Sequence, residues 1–229
     1  MRPTQQSFLR FPLSTLLGTA TGVRVLRELA LHGNELSTGL IARRTGLTVQ
    51  SVRSTIAELL SAKLLRVYGQ GRAASYELDA THPVAAMLID LFRAEDARLK
   101  AVYASVTAAA RRVTPPPSAV WMYGSTARGE DRVHSDLDLL MVIDDEGAVA
   151  RAADRFREEM AGVEAEHRLS ISVVPASSGD VVRLARTGDP FWKEILADAV
   201  VLHGSRPEVL LSRLASGSSR TAALEMAHG

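Results

Sequence analysis

The chain has 229 residues, 46% of them apolar and 23% charged, with a mean hydropathy near zero and a formal net charge of +1. That length suits two domains, and the composition excludes a disordered chain, a collagen and a multi-span membrane protein. Cysteine is absent, which excludes a disulfide scaffold, a thiolate zinc site and a cysteine nucleophile, and favours a reducing, cytoplasmic setting.

The small net charge conceals a split. Residues 1–114 carry 15 Lys+Arg against 8 Asp+Glu, and residues 115–229 carry 12 against 18. A basic half attracts a phosphate backbone; an acidic half repels it unless a cation intervenes. At the start of the chain, Arg10 and Pro12 interrupt the apolar run that a signal peptide needs. No stretch reaches the 18 apolar residues of a membrane span, so no membrane partner is expected.

In chain order, residues 14–32 read as a helix with Val23, Leu26, Leu29 and Ala30 on one face, stopped by Gly33-Asn34. Ser37 caps a short helix that ends at Gly46. Thr48 caps a third helix with Val52, Ile56, Leu59 and Leu60 facing inward. Two β-type runs follow, Leu65–Tyr68 and Ser75–Leu78, joined through Gly69-Gln70-Gly71-Arg72. Three helices and a basic-tipped hairpin make a winged helix-turn-helix. Such a module binds double-stranded DNA or, alternatively, a protein. On DNA the third helix enters the major groove. Gln50, Ser51, Arg53 and Ser54 then stand at its exposed N-terminal positions. Arg43 and Arg44 on the preceding helix and Arg72 at the wing tip suit backbone contact.

A long helical pattern runs from about Val84 to Val113. Leu99, Val102, Val106, Ala109 and Val113 step three and four apart, interrupted upstream by Glu95. Two readings stand side by side: a connecting helix packed on its own domain, or the seam of a homodimer. Pro115-Pro116-Pro117 ends the helix as a stiff linker. Strands over AVWMYG, DLDLLMVID and RLSISVVPA then alternate with helical segments, an α/β order.

The most informative stretch is Gly124-Ser125, ten residues, then Asp136-Leu137-Asp138. Strand alternation puts Asp136 and Asp138 on one face. Neighbouring carboxylates repel unless neutralised, and hard divalent cations neutralise them while leaving positions open for phosphate. Glycine allows a close backbone approach to phosphate, and Ser125 adds a hydroxyl.

The segment YGSTARGEDRVHSDLDLLMV resembles the signature of the minimal nucleotidyltransferases of the DNA polymerase β superfamily, and FWKEILADAVVLHG resembles the end of that domain. The order of the two halves resembles bacterial and archaeal fusions of a winged helix to such a domain. The resemblance implies Gly124, Ser125 and Arg128 as NTP contacts. It implies Asp136 and Asp138 as catalytic ligands of Mg2+ or Mn2+. It also implies a third carboxylate on the following strand, where this chain has Ser170 and Ser172. Serine at its normal pKa is a poor metal ligand and a poor base.

The expected fold is an α+β two-domain protein. Residues 1–83 form a winged helix-turn-helix, 84–113 a linking or dimerisation helix, 114–204 a nucleotidyltransferase-like α/β domain with a mixed sheet, and 205–229 a flexible tail. The expected function is a cytoplasmic, dimeric, DNA-binding transcriptional regulator whose second domain binds Mg–NTP. The alternative is an active transferase that moves an NMP from NTP to a protein, RNA or small-molecule hydroxyl. Small transferases of this kind also act as antitoxins.

Overall fold

The computed structural model describes Arg10 and residues 19–216. The chain divides into two units after Leu99, inside a long helix and upstream of the proline run. The segment 14–18, expected as helix, lies outside the described residues, as do residues 217–229.

The first unit begins with helix α1 (Ala20–His32), which Gly33 ends. A two-residue strand β1 (Leu36–Ser37) leads into α2 (Thr38–Thr45). The Ser37 side chain accepts from the Leu40 N–H, as an N-cap should. Gly46 closes α2 at φ +68°, and its N–H bonds to the Ala42 carbonyl. That left-handed position is open to glycine at no steric cost, and it turns the chain toward α3 (Val49–Ser61). Strands β2 (Leu65–Tyr68) and β3 (Ser75–Leu78) lie where the sequence puts them. β1 was not foreseen: it pairs antiparallel with β3, Leu36 opposite Tyr76, to complete a sheet of order β1-β3-β2. Val25, Leu29, Leu36, Ile41, Val52, Ile56, Leu65, Leu78, Ala85 and Phe92 share one core.

Helix α4 (Pro83–Arg112) runs through the boundary between the units. Val102, Val106, Ala109 and Val113 are at most 2% exposed within the chain itself. These four positions are packed within the chain, while Leu99 at the head of the stripe is partly exposed. Glu95, the apparent flaw in the pattern, is buried. It accepts from Arg27 Nε at 2.6 Å and Nη2 at 3.1 Å. The Arg27 guanidinium also lies 5.4 Å from the centre of the Phe92 ring.

The second unit is built on β4 (Ala119–Tyr123), β5 (Leu137–Ile143), β6 (Ile171–Ser177) and β7 (Val200–Gly204), in the order β6-β5-β4-β7. β4 runs antiparallel to both neighbours and β5 runs parallel to β6, so the sheet is mixed, as expected. Short helix α5 (Gly124–Arg128) follows β4 directly. Helix α6 (Val149–His167) connects the parallel pair. The segment 180–204, read from sequence as mostly helix with a short apolar end, breaks at Gly188: α7 (Ser178–Thr187) and α8 (Pro190–Asp198) precede β7.

Trp121, Tyr123, Leu140, Val142, Ala176, Val181, Trp192 and Ile195 form a core on one face of the sheet. The Trp121 and Trp192 rings pack with centres 6.0 Å apart, tilted by 56°. The sequence places a flexible tail from Ser205 with one short helical pattern over Pro207–Leu214; residues 207–216 are helical, and Leu210 is fully buried in this same core. The Ser205 carbonyl accepts from Trp121 Nε1 at 2.8 Å. On β6, the carbonyl of Ser170 accepts from the Leu137 N–H. Alternation along the strand therefore turns the backbone nitrogen of Pro175 away from β5, onto the open side of the sheet.

Candidate active site

β4 ends where β5 and β6 begin, and this end of the sheet gathers the residues singled out by sequence. Tyr123 is the register partner of Asp138. The next residue, Gly124, turns at φ +71° into α5, and a Cβ there would sit 2.7 Å from Asp138 Oδ2. Two constraints converge on that position. The left-handed φ is costly for any L side chain, and the carboxylate leaves no room for one. Gly124 therefore lies close against Asp138, although thirteen intervening residues separate them in the chain.

Local bonds fix the turn. The Ser125 carbonyl accepts from the Glu130 N–H at 2.8 Å, and Gly129 ends α5 in the left-handed region. Thr126 is buried, and its hydroxyl donates to the Asp136 carbonyl at 3.3 Å. Leu137 is buried between an exposed Asp136 and a half-buried Asp138, as alternation along the strand requires. Burial holds the Asp138 carboxyl above its ordinary range. The charges of Asp136 and Glu194 add to the rise, and Arg128 opposes it. Burial likewise pushes the Tyr123 hydroxyl up to about 12, helped by Asp138 and Glu194.

On the neighbouring parallel strand Ser172 pairs in register with Asp138, so it shares the face of the two aspartates. Ser170 precedes β6, and its carbonyl is taken by the Leu137 N–H. Among the described residues no group of three or more His, Cys, Asp or Glu is placed to hold a metal ion. What the site offers is two carboxylates and two serine hydroxyls. One of those carboxylates is disfavoured in its charged form by burial and by its neighbour. Hard oxygen donors and uncompensated negative charge fit a divalent cation.

Arg128 stands apart from the role the resemblance implies. It ends α5, and its guanidinium is engaged by three carboxylates: Glu130 at 3.0 Å on Nε, and Glu194 and Asp198, each 2.9 Å from Nη1. These contacts raise its pKa further above the ordinary arginine value. Glu194 and Asp198 lie on α8 and were missed from sequence. A clue was there: two acids four apart on one helix face repel and call for a cation. Phe191 packs edge-on to Tyr123 at 5.3 Å, and Trp192 is buried, so both serve the core.

In the first unit, Gln50, Arg53 and Ser54 are exposed near the start of α3. Ser51 is half-buried and tied into the helix cap, its N–H and hydroxyl both bonded to Thr48 Oγ1. Arg43 is exposed, and Arg44 pairs with Glu28 of α1. Arg72 lies in the turn between β2 and β3. No helix among the described residues is long and apolar enough to cross a membrane.

Residues 109–208 match the family model described as polymerase beta, nucleotidyltransferase. No curated protein matches the chain. A solved structure described as a toxin-antitoxin with AMP-PNP is 16% identical, covering 55% of this chain and 93% of that one at a TM-score of 0.33. By the family model, residues 109–208 are similar to a nucleotidyltransferase domain.

Proposed function

We propose that the second unit binds a divalent metal–NTP complex, and that the first unit is a winged helix-turn-helix that carries it, as a homodimer, to double-stranded DNA as a transcriptional regulator. The observation that carries the nucleotide reading is the contact of Gly124 with the Asp138 carboxylate. It brings a glycine turn suited to phosphate against the acid suited to its cation. Asp136 and Asp138 would hold Mg2+ or Mn2+, with Gly124 and Ser125 meeting the phosphates. The cation, when bound, neutralises the triphosphate.

Ser172 beside Asp138 supports binding over transfer, because a serine of ordinary pKa draws no proton from an attacking hydroxyl. The family match favours a second reading, transfer of an NMP to a protein, RNA or small-molecule hydroxyl. The DNA reading rests on the excess of basic residues in residues 1–114 and on exposed Gln50, Arg53 and Ser54 at the start of α3.

One experiment addresses both nucleotide readings. Each α-labelled NTP is incubated with the protein, Mg2+ or Mn2+ and a host lysate, and equilibrium binding is measured in parallel. The Asp136→Asn/Asp138→Asn variant serves as control. Saturable binding lost in the variant, without a labelled band, is the expected result. Label on a protein or RNA band with the unmodified chain alone establishes transfer. Absence of binding with every NTP refutes the nucleotide reading.

A further inference from the structure

The three carboxylates on Arg128 turn a residue suited to phosphate into a clamp. Arg128 is the last residue of the helix that begins at Gly124. Glu194 and Asp198 are on α8, 66 and 70 residues away in the chain. Both bond to the same Nη1, while Nε is taken by Glu130, just beyond the end of α5. One guanidinium therefore ties the Gly-Ser turn to α8 and neutralises an acid pair that would otherwise repel along α8. The Asp198 side chain is only 15% exposed, which favours a lasting contact over a transient surface pair.

We propose that Arg128 is a positioning residue: through Asp198 and Glu194 it holds the Gly124–Gly129 turn against Asp138, and it does not itself contact phosphate. This deepens the nucleotide-binding reading and rests on it for the effect on affinity. The clamp itself exists without any nucleotide.

Two substitutions separate clamp from phosphate contact. Arg128→Lys keeps the charge but loses the fork that reaches separate carboxylates. A phosphate contact tolerates lysine as a point charge; a clamp does not. Asp198→Asn removes a partner of Arg128 while keeping its shape. If Arg128 were a phosphate ligand, releasing it from Asp198 would tighten nucleotide binding.

The measurements are Mg–ATP dissociation constants and amide hydrogen exchange of residues 124–130 in the nucleotide-free protein, at temperatures where each variant is folded. We expect each substitution to weaken Mg–ATP binding about 5- to 20-fold and to speed exchange of that segment about tenfold. The Arg128→Lys/Asp198→Asn double variant should be no worse than the weaker single variant, because both break one device. Tighter binding by Asp198→Asn, or full binding by Arg128→Lys, overturns the proposal. So does unchanged exchange in both variants. If the unmodified protein binds no nucleotide, the nucleotide-binding reading fails, and the exchange measurement still decides whether the clamp holds the turn.

Discussion

Position 124 cannot take a side chain without moving Asp138, since a Cβ there would lie 2.7 Å from a carboxylate oxygen. Gly124→Ala also forces alanine to φ +71°, a left-handed conformation that costs roughly 1–2 kcal/mol. We expect that loss of stability in chemical denaturation, together with at least tenfold weaker Mg–ATP binding in titration calorimetry. Asp138 supports a prediction in pH. Its carboxyl is raised first by burial, then by Asp136 and Glu194. A raised carboxyl binds its proton more readily in the folded chain, so it favours the fold at low pH, and that contribution is lost as pH rises through the raised value. Cation binding needs the charged form and runs the other way. Metal–nucleotide affinity should therefore fall on acidification, beginning above the ordinary aspartate range, in titrations from pH 8 to 4. Asp138→Asn should abolish metal-dependent binding and leave the nucleotide-free chain more stable by roughly 0.5–2 kcal/mol at pH 7. A variant both weaker in melting temperature and unchanged in binding would falsify this account. That Gly124 lies against Asp138 is consistent with the Gly-Ser and Asp-x-Asp motif, which can be spotted in the sequence alone. Glu194 and Asp198 were not legible there, because only the course of the chain through β6 and α7 brings α8 beside Arg128.

At the scale of elements, capping residues and glycine stops were the reliable signals. Gly33 and Gly46 each end a helix in the left-handed conformation that L side chains avoid; Gly188 does the same, but its stop was not read from the sequence. Thr48 and Ser37 cap the helices that their positions foretold. The three-residue reach of such signals explains why β1 went unseen: two residues make a strand only because β3 is there to pair with them. Glu95 marks the limit of periodicity as a guide. Pattern alone makes it a defect, whereas α1 supplies Arg27 from 68 residues away and makes it a partner. Their side chains are 5% and 3% exposed. Removing one member leaves a buried charge, so Glu95→Ala should cost about 3–5 kcal/mol in urea denaturation. The double replacement Arg27→Met/Glu95→Leu should recover most of that loss. If both single and double variants lose the same stability, the pair is not what holds α1 to α4.

For the molecule as a whole, the opposite charges of the two halves are read directly from the sequence, whereas the extent of the second core is not. Leu210 and the Ser205 carbonyl belong to it, and nothing in the Ser/Gly/Ala-rich ending announces that a Trp121 ring lies within reach. The split of basic and acidic residues leads to a prediction for the entire chain. If residues 1–114 meet DNA, counterion release makes log affinity fall linearly with log salt, with a slope of about −3 to −6 for a comparable number of phosphates. Arg53→Ala should weaken binding to a preferred site by about 1–3 kcal/mol and to random DNA by less. Filter binding at several salt concentrations measures both. A slope near zero would exclude a phosphate-contacting role for the basic half.

Pro175 has a consequence beyond the site. Its ring nitrogen, turned to the open side of β6, removes one donor from a row to which another strand might attach. Val173 and Val174 just before it are of the type that extends fibrillar sheets, and Val174 is 37% exposed. The proline costs the sheet no ladder bond, yet it blunts the edge as a template for intermolecular growth. Protection of that edge is thus written into the same strand that brings Ser172 beside Asp138.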